Sequence, residues 1–187
     1  MSFYNIVTAS NEDTVVASYT PDYNRSTEYQ SEAALEKEFI NQLCAQGYER
    51  IDIPNEAALI SNLRRQLELL NDYNFSDDEW ERFFNQNIAG ANEGIAEKTR
   101  KIQEDHVQNL KRDDGSTKNI LLIDKKNIHN NRLQVINQYA EAEGARETRY
   151  DVTVLVNGLP LVHIELKRRG MAIREAFNQI NRYQRDS

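Results

Sequence analysis

A β-hairpin pattern near the end of this sequence constrains its fold more than any other feature. Residues 150–156 and 161–166 are both rich in β-branched and aromatic or large aliphatic residues, a composition typical of strands. Asn157 and Gly158 lie between them and form a strong turn signal. The pattern therefore predicts two antiparallel strands joined by a short loop.

The length of that loop decides which side chains share a face of the hairpin. A two-residue loop would place Asp151 on the opposite face from Glu165. A three-residue loop, residues 157–159, pairs Asp151 with Glu165 and separates an apolar face from a polar one, which a shift by one residue would mix. We therefore predict the three-residue loop, with Gly158 or a bulge adopting the unusual dihedrals. Pro160, which lacks an N–H, would begin the second strand.

In that register three charged side chains converge. Glu165 and Lys167 are two residues apart and project to the same side, and Asp151 lies across from Glu165 with Cβ atoms about 5 Å apart. Two carboxylates this close repel each other unless a cation lies between them. Hard oxygen ligands suit Mg²⁺, which also binds waters and phosphate oxygens. The pattern predicts a metal site that activates water against a phosphodiester, with Lys167 orienting the water or the phosphate.

The same residues also fit a plain charged surface. Acid–lysine pairs are common on exposed sheet faces and usually mark a solvated surface. A bare D…ExK match is a weak signal, because these residues are abundant. The apolar opposite face, the turn and the following helix favour the nuclease interpretation.

The following segment, Met171 to Tyr183, predicts a helix with an apolar stripe. Gln179 and Tyr183 lie one turn apart on the flank of that stripe and could reach the same site. Without the neighbouring carboxylates, they would be interpreted as ordinary solvated or rim residues.

Asp151, the Glu165-Leu166-Lys167 triplet and the pair Gln179 and Tyr183 resemble the PD-(D/E)xK nuclease superfamily with its Q-x-x-x-Y extension. The superfamily's nominal proline is absent, since Tyr150 precedes Asp151, but that proline is not a metal ligand.

Longer runs resemble a more specific family. Residues 149–170 and 173–180, together with upstream segments from Tyr29 onward, are similar to the N-terminal nuclease region of the R (restriction, motor) subunit of type I restriction-modification enzymes. This resemblance covers most of the chain beyond about residue 28.

The resemblance implies an α/β fold, with a mixed sheet of about four strands flanked by helices and preceded by a helical region. It implies that Asp151 and Glu165 bind Mg²⁺, for which Mn²⁺ can substitute, with help from the Leu166 carbonyl. Lys167 would orient the nucleophile or stabilise charge. The resemblance also implies that phosphate or Lys167 is positioned by Gln179 and Tyr183.

The same resemblance implies partners beyond double-stranded DNA. Such R subunits carry an ATP-driven translocase and assemble with methyltransferase and specificity subunits. The sequence has no G-x-x-x-x-G-K-[ST] motif and ends four residues after Tyr183, so we expect a fragment whose ATP-using part is absent. Three alternatives remain open: a stand-alone repair nuclease, a non-catalytic DNA-binding or assembly module, and a plain charged surface with no DNA role.

Charge is unevenly distributed along the chain. The formal net charge is −7, but residues 167–185 carry six basic side chains against one acid, Glu175. Such a patch suits backbone phosphates, although a solvated charged helix would look the same. We expect weak DNA affinity in isolation and DNA contacts from Arg168, Arg169, Arg174 and Arg182.

The sequence divides into three predicted parts: an irregular arm (1–28) with a strand near residues 14–19, a mainly helical part (29–112), and the core sheet with the Q-x-x-x-Y helix (113–187). The first helix should run from Ser31 as N-cap to Gln46, with buried residues Leu35, Phe39 and Leu43. Further helices are predicted at residues 55–71 and from a capping box at residues 76–79, and further strands at 119–124 and 133–139.

Single residues in the first predicted helix invite two interpretations. The resemblance to the superfamily implies that Glu32 or Glu36 could be an outer metal ligand, since many of its nucleases carry a helix acid near the metal; the alternative is that both are acids on a solvated helix face. Cys44 is the only cysteine, which excludes an internal disulfide framework, and we interpret it as a small core residue. The sequence has 39% hydrophobic residues, no membrane-length apolar run and no signal peptide, so we expect a soluble cytoplasmic domain without a membrane partner.

Overall fold

The computed structural model describes residues 3–9, 15–20, 31–90, 93–141 and 148–167, with side chains described in 31–90, 93–137 and 151–167. The chain divides into two compact units, Met1–Gln30 and Ser31–Ser187. The predicted helix at residues 171–183 lies outside the described residues.

The first unit contains a two-stranded antiparallel sheet. Strand β1 (Phe3–Ala9) pairs with β2 (Val15–Thr20). The strand predicted near residues 14–19 is therefore confirmed as β2. The expectation of an otherwise irregular arm is wrong, because β1 supplies a pairing partner that the mixed polar composition concealed.

The second unit begins with four helices: α1 (Glu32–Ala45), α2 (Glu56–Asn71), α3 (Asp77–Phe83) and α4 (Ile95–Glu104). A short strand, β3 (Glu49–Arg50), follows α1, and a single π-helical turn follows α3. The predicted caps are observed: the hydroxyl of Ser31 accepts a hydrogen bond from the N–H of Ala34 at 3.2 Å, and a complete capping box opens α3.

The buried side of α1 differs from the predicted one. The buried residues are Glu36, Ile40 and Leu43, whereas Phe39 is only partly buried. Cys44 is exposed, so its assignment to the core is wrong. Successive helical residues are about 100° apart, and burial of Leu43 therefore turns its neighbour toward solvent.

The larger apolar core lies between α2, α3 and a small hairpin. The aromatic side chains of Phe75, Trp80 and Phe83 are buried there with Leu63 and Leu67 of α2. The small hairpin joins β4 (Val107–Lys111) to β5 (Thr117–Leu121).

The main sheet is mixed, as predicted. Its order is β3, β6 (Leu133–Glu141), β7 (Thr148–Val156) and β8 (Leu159–Ile164). Strand β3 runs parallel to β6, and the remaining neighbours are antiparallel. Of the predicted strand at residues 119–124, only residues 119–121 lie in a strand, β5, which pairs with β4 instead of joining this sheet.

The β7–β8 hairpin corrects the predicted loop length. Val156 pairs with Leu159, so the loop is a two-residue turn, and Asn157 and Gly158 have φ values of 52° and 82°. This is the conformation that an Asn-Gly turn favours. The three-residue loop is therefore wrong, and Pro160 is the second residue of β8, not the first.

A bulge restores the predicted register further along the hairpin. Leu155 pairs with Pro160, but Val154 pairs with Val162, which leaves Leu161 as an extra residue. Such a bulge shifts the pairing of every later residue by one position. The register near the end of β8 is therefore the predicted one.

Candidate metal centre

The end of the hairpin brings the predicted carboxylates together. Val152 pairs with Ile164, and the same register carried one residue further sets Asp151 opposite Glu165. The backbone N–H of Leu166 donates a hydrogen bond to Oδ2 of Asp151 at 2.8 Å. Asp151 is therefore anchored to the segment that carries Glu165.

The side chain of Glu165 is buried, and within the described part of the chain its carboxylate has no hydrogen-bond partner. Its side chain is 1% exposed, and neither carboxylate oxygen has a hydrogen-bond partner among the described residues. The Nζ atom of Lys167 lies 3.6 Å from Oε2, which forms an ion pair but is too long for a hydrogen bond. A buried carboxylate in this state is destabilised unless another group binds it.

The surroundings of Glu165 shift its pKa strongly. Burial, the largest cause, and the negative charge of Asp151 together raise the pKa of this carboxyl to about 7, while Lys167 opposes the shift. The negative charge of Glu32 adds a smaller contribution in the raising direction. The two carboxylates repel each other, and that of Glu165 accepts no hydrogen bond from the described residues, so a cation between them would be stabilising.

The donor set fits a small, hard cation that keeps several waters. No three His, Cys, Asp or Glu side chains form a metal-binding group within the described part of the chain. Mg²⁺ needs fewer, because it commonly takes one or two carboxylates and completes its shell with waters and substrate phosphates. Asp151 and Glu165 meet that requirement.

The two acids of α1 differ in their surroundings. Glu32 is exposed in the first turn, whereas Glu36 is 9% exposed and its Oε1 accepts a hydrogen bond from Nδ2 of Asn137 at 3.0 Å. Arg50 in turn donates to Oδ1 of Asn137 at 3.3 Å. Because Glu36 is buried, the interpretation of this residue as a solvated acid is wrong. No feature of the sequence indicated that Asn137 would hydrogen-bond to it.

Several predicted site residues lie outside the described residues. These are the helix residues expected to position phosphate and the arginines expected to contact DNA: Arg168, Arg169, Arg174, Gln179, Arg182 and Tyr183. Their roles stay predictions.

A groove of about 790 Å³ lies on the sheet beside this centre. Ile60 of α2, Ile102 of α4, Thr153 of β7 and His163 of β8 are among its lining residues. Alternation along β7 places Asp151 on the same face as Thr153. Sequence periodicity could not reveal the groove, because elements distant in sequence form it.

The fold and this centre together define a class. A mixed α/β sheet presents two neighbouring carboxylates and a lysine from one hairpin, an arrangement consistent with a nuclease-like domain. Residues 29–187 match the family described as "Type I restriction enzyme R protein N terminus", and the chain belongs to this family.

Individual relatives carry corresponding names. The chain is 48% identical over 182 residues to the "Type I restriction enzyme EcoprrI endonuclease subunit" of Escherichia coli. It is 42% and 43% identical, over 164 residues each, to the "Type I restriction enzyme SsaAORF53P endonuclease subunit" of Staphylococcus saprophyticus and the "Type I restriction enzyme SauMSSORF170P endonuclease subunit" of Staphylococcus aureus.

The chain matches only part of these relatives. The alignments cover 97% of the chain but 58% of the Escherichia coli protein, and 85% of the chain but 17% of each staphylococcal protein.

The described residues contain no helix long and apolar enough to span a bilayer.

Proposed function

We propose that this chain is the metal-dependent endonuclease domain of a type I restriction enzyme R subunit and that it hydrolyses phosphodiester bonds of double-stranded DNA. Family membership over residues 29–187 and the relatives' names as endonuclease subunits support this class. The observation that carries the proposal is Glu165, a buried carboxylate next to Asp151 whose two oxygens have no hydrogen-bond partner among the described residues.

The cation is Mg²⁺ in this proposal, and Mn²⁺ can take its place. Asp151 and Glu165 supply carboxylate oxygens, and Leu166 supplies its carbonyl oxygen. A divalent cation held there would lower the pKa of a bound water and offset charge on the phosphate. The hydrogen bond from the Leu166 N–H supports this role, because it fixes the orientation of the Asp151 carboxylate.

Lys167 acts beside the carboxylates as the positively charged group of the site. Its side chain is 19% exposed and its ammonium lies 3.6 Å from Oε2 of Glu165. It is therefore close to the carboxylate and still open to solvent, where it can orient the attacking water or a phosphate oxygen. In this proposal Gln179 and Tyr183 also position the phosphate. The phosphates of the DNA backbone are bound by four arginines: Arg168, Arg169, Arg174 and Arg182.

Further functions are proposed for the complete R subunit and its partner subunits. We propose that ATP-driven translocation belongs to the remaining length of the R subunit and that methyltransferase and specificity subunits provide most of the grip on DNA, in the cytoplasm. The net charge of −7 supports weak DNA affinity of the chain alone. Family membership favours this assignment over a stand-alone repair nuclease.

Metal binding tests the centre directly. Titration of the 187-residue chain with Mn²⁺, followed by electron paramagnetic resonance, should show a specific site that is lost in Glu165→Gln and Asp151→Asn. Glu81→Gln on the exposed side of α3 serves as the matched control and should bind like the parent chain. Absence of a site in the parent chain would contradict the proposed centre.

Cleavage tests the function. In the complete R subunit assembled with its partner subunits, Glu165→Ala and Lys167→Ala should abolish DNA cleavage while ATP hydrolysis persists. Lys126→Ala, at an exposed position in the loop before β6, should leave cleavage intact. Unchanged cleavage in the Glu165 and Lys167 variants would instead identify a non-catalytic assembly module or a plain charged surface.

A further inference from the structure

The β7–β8 hairpin contains two pairing registers separated by Leu161. Next to the turn, Val156 faces Leu159, whereas Val154 faces Val162 beyond the bulge. The two registers differ by one residue, so they place opposite sets of side chains on each face.

Only the second register brings the two carboxylates together. It sets Asp151 opposite Glu165, whereas the turn register continued along the strands would set Asp151 opposite Ile164. Ile164 packs on the core that includes Val152 and Ile40, on the other face of the hairpin. The candidate metal centre therefore depends on which register is held.

The turn is fixed in place, so it cannot shift by one residue to remove the offset between the two registers. Asn157 is 1% exposed, and its side chain bonds the N–H of Arg132, the carbonyl of Leu122 and the side chain of Asn131. A Cβ added at Gly158 would lie 2.6 Å from Cα of Leu63, so the turn is packed directly against α2. The register must consequently be held on the other side of the bulge.

Thr153 and His163 form a side-chain bridge at that place. They are paired residues of β7 and β8, and Oγ1 of Thr153 lies 2.9 Å from Nδ1 of His163. Thr153 is 1% exposed, so water does not compete freely for its hydroxyl. In the turn register Thr153 would face Val162, which offers no hydrogen-bonding group.

We propose that Thr153 and His163 are positioning residues, which hold the site register and so keep Asp151 opposite Glu165. Each lies two residues from a carboxylate on its own strand, on the same face. They act through the strands and need no contact with DNA. This inference rests on the proposed function, because the Thr153–His163 bridge matters to the protein only if Asp151 and Glu165 are metal ligands that must be aligned.

The test compares three single variants of the 187-residue chain. Thr153→Val keeps the shape but removes the hydroxyl, Thr153→Ser keeps the hydroxyl, and Thr117→Val makes the same change at an exposed position of β5. Mn²⁺ affinity and the hydrogen-exchange rate of the Leu166 amide are measured, with folding checked by circular dichroism. Thr153→Val should lose roughly tenfold in Mn²⁺ affinity, as orienting partners of metal ligands do, and its Leu166 amide should exchange faster.

Thr153→Ser and Thr117→Val should match the parent chain in both measurements. Parent-like values in a folded Thr153→Val chain, or equal losses in the Ser and Val variants, would overturn the inference. If the parent chain binds no Mn²⁺, the proposed function fails, but the Leu166 amide still reports whether the bridge holds the register. If Thr153→Val unfolds, the Mn²⁺ affinity of His163→Phe, which keeps a ring but has no hydrogen-bonding atom, is measured in its place and should fall by a similar factor; a parent-like affinity would overturn the inference.

Discussion

The backbone N–H of Leu166 donates to the carboxylate of Asp151 at 2.8 Å, so the residue between Glu165 and Lys167 holds the third charged member of the centre. One backbone group thus links the two strands at the point where regular pairing of β8 ends. The orientation of Asp151 therefore depends on the backbone of the Glu165-Leu166-Lys167 triplet.

Asp151→Asn should lower the pKa of Glu165. Burial is the main cause of the raised value, about 7, and the charge of Asp151 is the next. Removal of that charge leaves the hydrogen-bond acceptor in place but removes the repulsion, so Glu165 should ionise at lower pH. Carboxyl ¹³C chemical shifts recorded against pH in metal-free buffer measure this change. A pKa that stays the same or rises would show that the two carboxylates do not interact.

Metal-free protein should lose stability as the pH rises through about 7. The folded-state pKa of Glu165 lies above its ordinary value of 4.5, so the folded chain binds more protons than the unfolded chain between these values. The contribution is fully present below pH 4.5 and is lost above pH 7. The difference corresponds to about 3 kcal/mol at most, since one unit equals about 1.36 kcal/mol.

Glu165→Gln removes this titration and should be more stable than the parent chain at pH 8.5 in the presence of a chelator. Urea unfolding at pH 5 and pH 8.5 measures the effect, with Glu81→Gln as control. Saturating Mg²⁺ should restore the parent chain at pH 8.5, since a ligand at one hundred times its Kd stabilises by about 2.7 kcal/mol. If the difference in unfolding free energy between the parent chain and Glu165→Gln is the same at pH 5 and pH 8.5, the raised pKa assigned to Glu165 is wrong.

Gly158→Ala should destabilise the protein more than Gly115→Ala. Both glycines have nearly the same φ, 82° and 83°, so the cost of the left-handed backbone, about 1 kcal/mol, is shared. At Gly158 the new Cβ would also meet Cα of Leu63 at 2.6 Å, whereas at Gly115 no atom of the described residues lies within 4 Å. We expect roughly 2 kcal/mol of additional loss at Gly158. Equal unfolding midpoints for the two variants would contradict the close packing of the turn on α2.

Glu79→Ala should cost roughly 3 kcal/mol of unfolding free energy. The buried Glu79 carboxylate accepts hydrogen bonds from the hydroxyl of Tyr73 at 2.7 Å and from the N–H groups of Ser76 and Asp113 at 3.2 and 3.1 Å. Its removal leaves three donors without their acceptor. Glu81→Ala, exposed on the same helix, should change stability by less than about 0.5 kcal/mol. Similar losses in urea unfolding for both variants would be incompatible with this network.

Local chemistry made much of the fold predictable. The Asn157-Gly158 pair predicted the hairpin. Two helix starts were predicted by Ser31 and by the capping box at residues 76–79. All three features are observed. Loop length was not predictable in the same way, because two turn lengths fit the sequence and the extra residue could sit in the loop or in a bulge. The structure places it at Leu161.

Long-range packing explains the remaining differences. Cys44 is exposed because the sheet contacts the neighbouring side of α1, a choice that periodicity alone cannot fix. Strand β5 pairs with β4 because both strands cover the aromatic core of α3. Strand β3 was not predicted, because two residues are too few to give a sequence pattern. The proximity of Asp151 and Glu165 was predictable from spacing, whereas the burial of Glu165 was not, since burial depends on elements far away in the sequence.

The extra residue at position 161 also determines how the hairpin would respond to a change of length. Removing one residue from positions 159 to 161 would give a regular ladder without a bulge and would leave Asp151 facing Glu165. The tip can therefore shorten by one residue while Asp151 stays opposite Glu165, whereas the same deletion between residues 162 and 164 keeps that pairing only if the bulge at Leu161 is lost at the same time. The bulge is thus the place where the hairpin can absorb the loss of one residue.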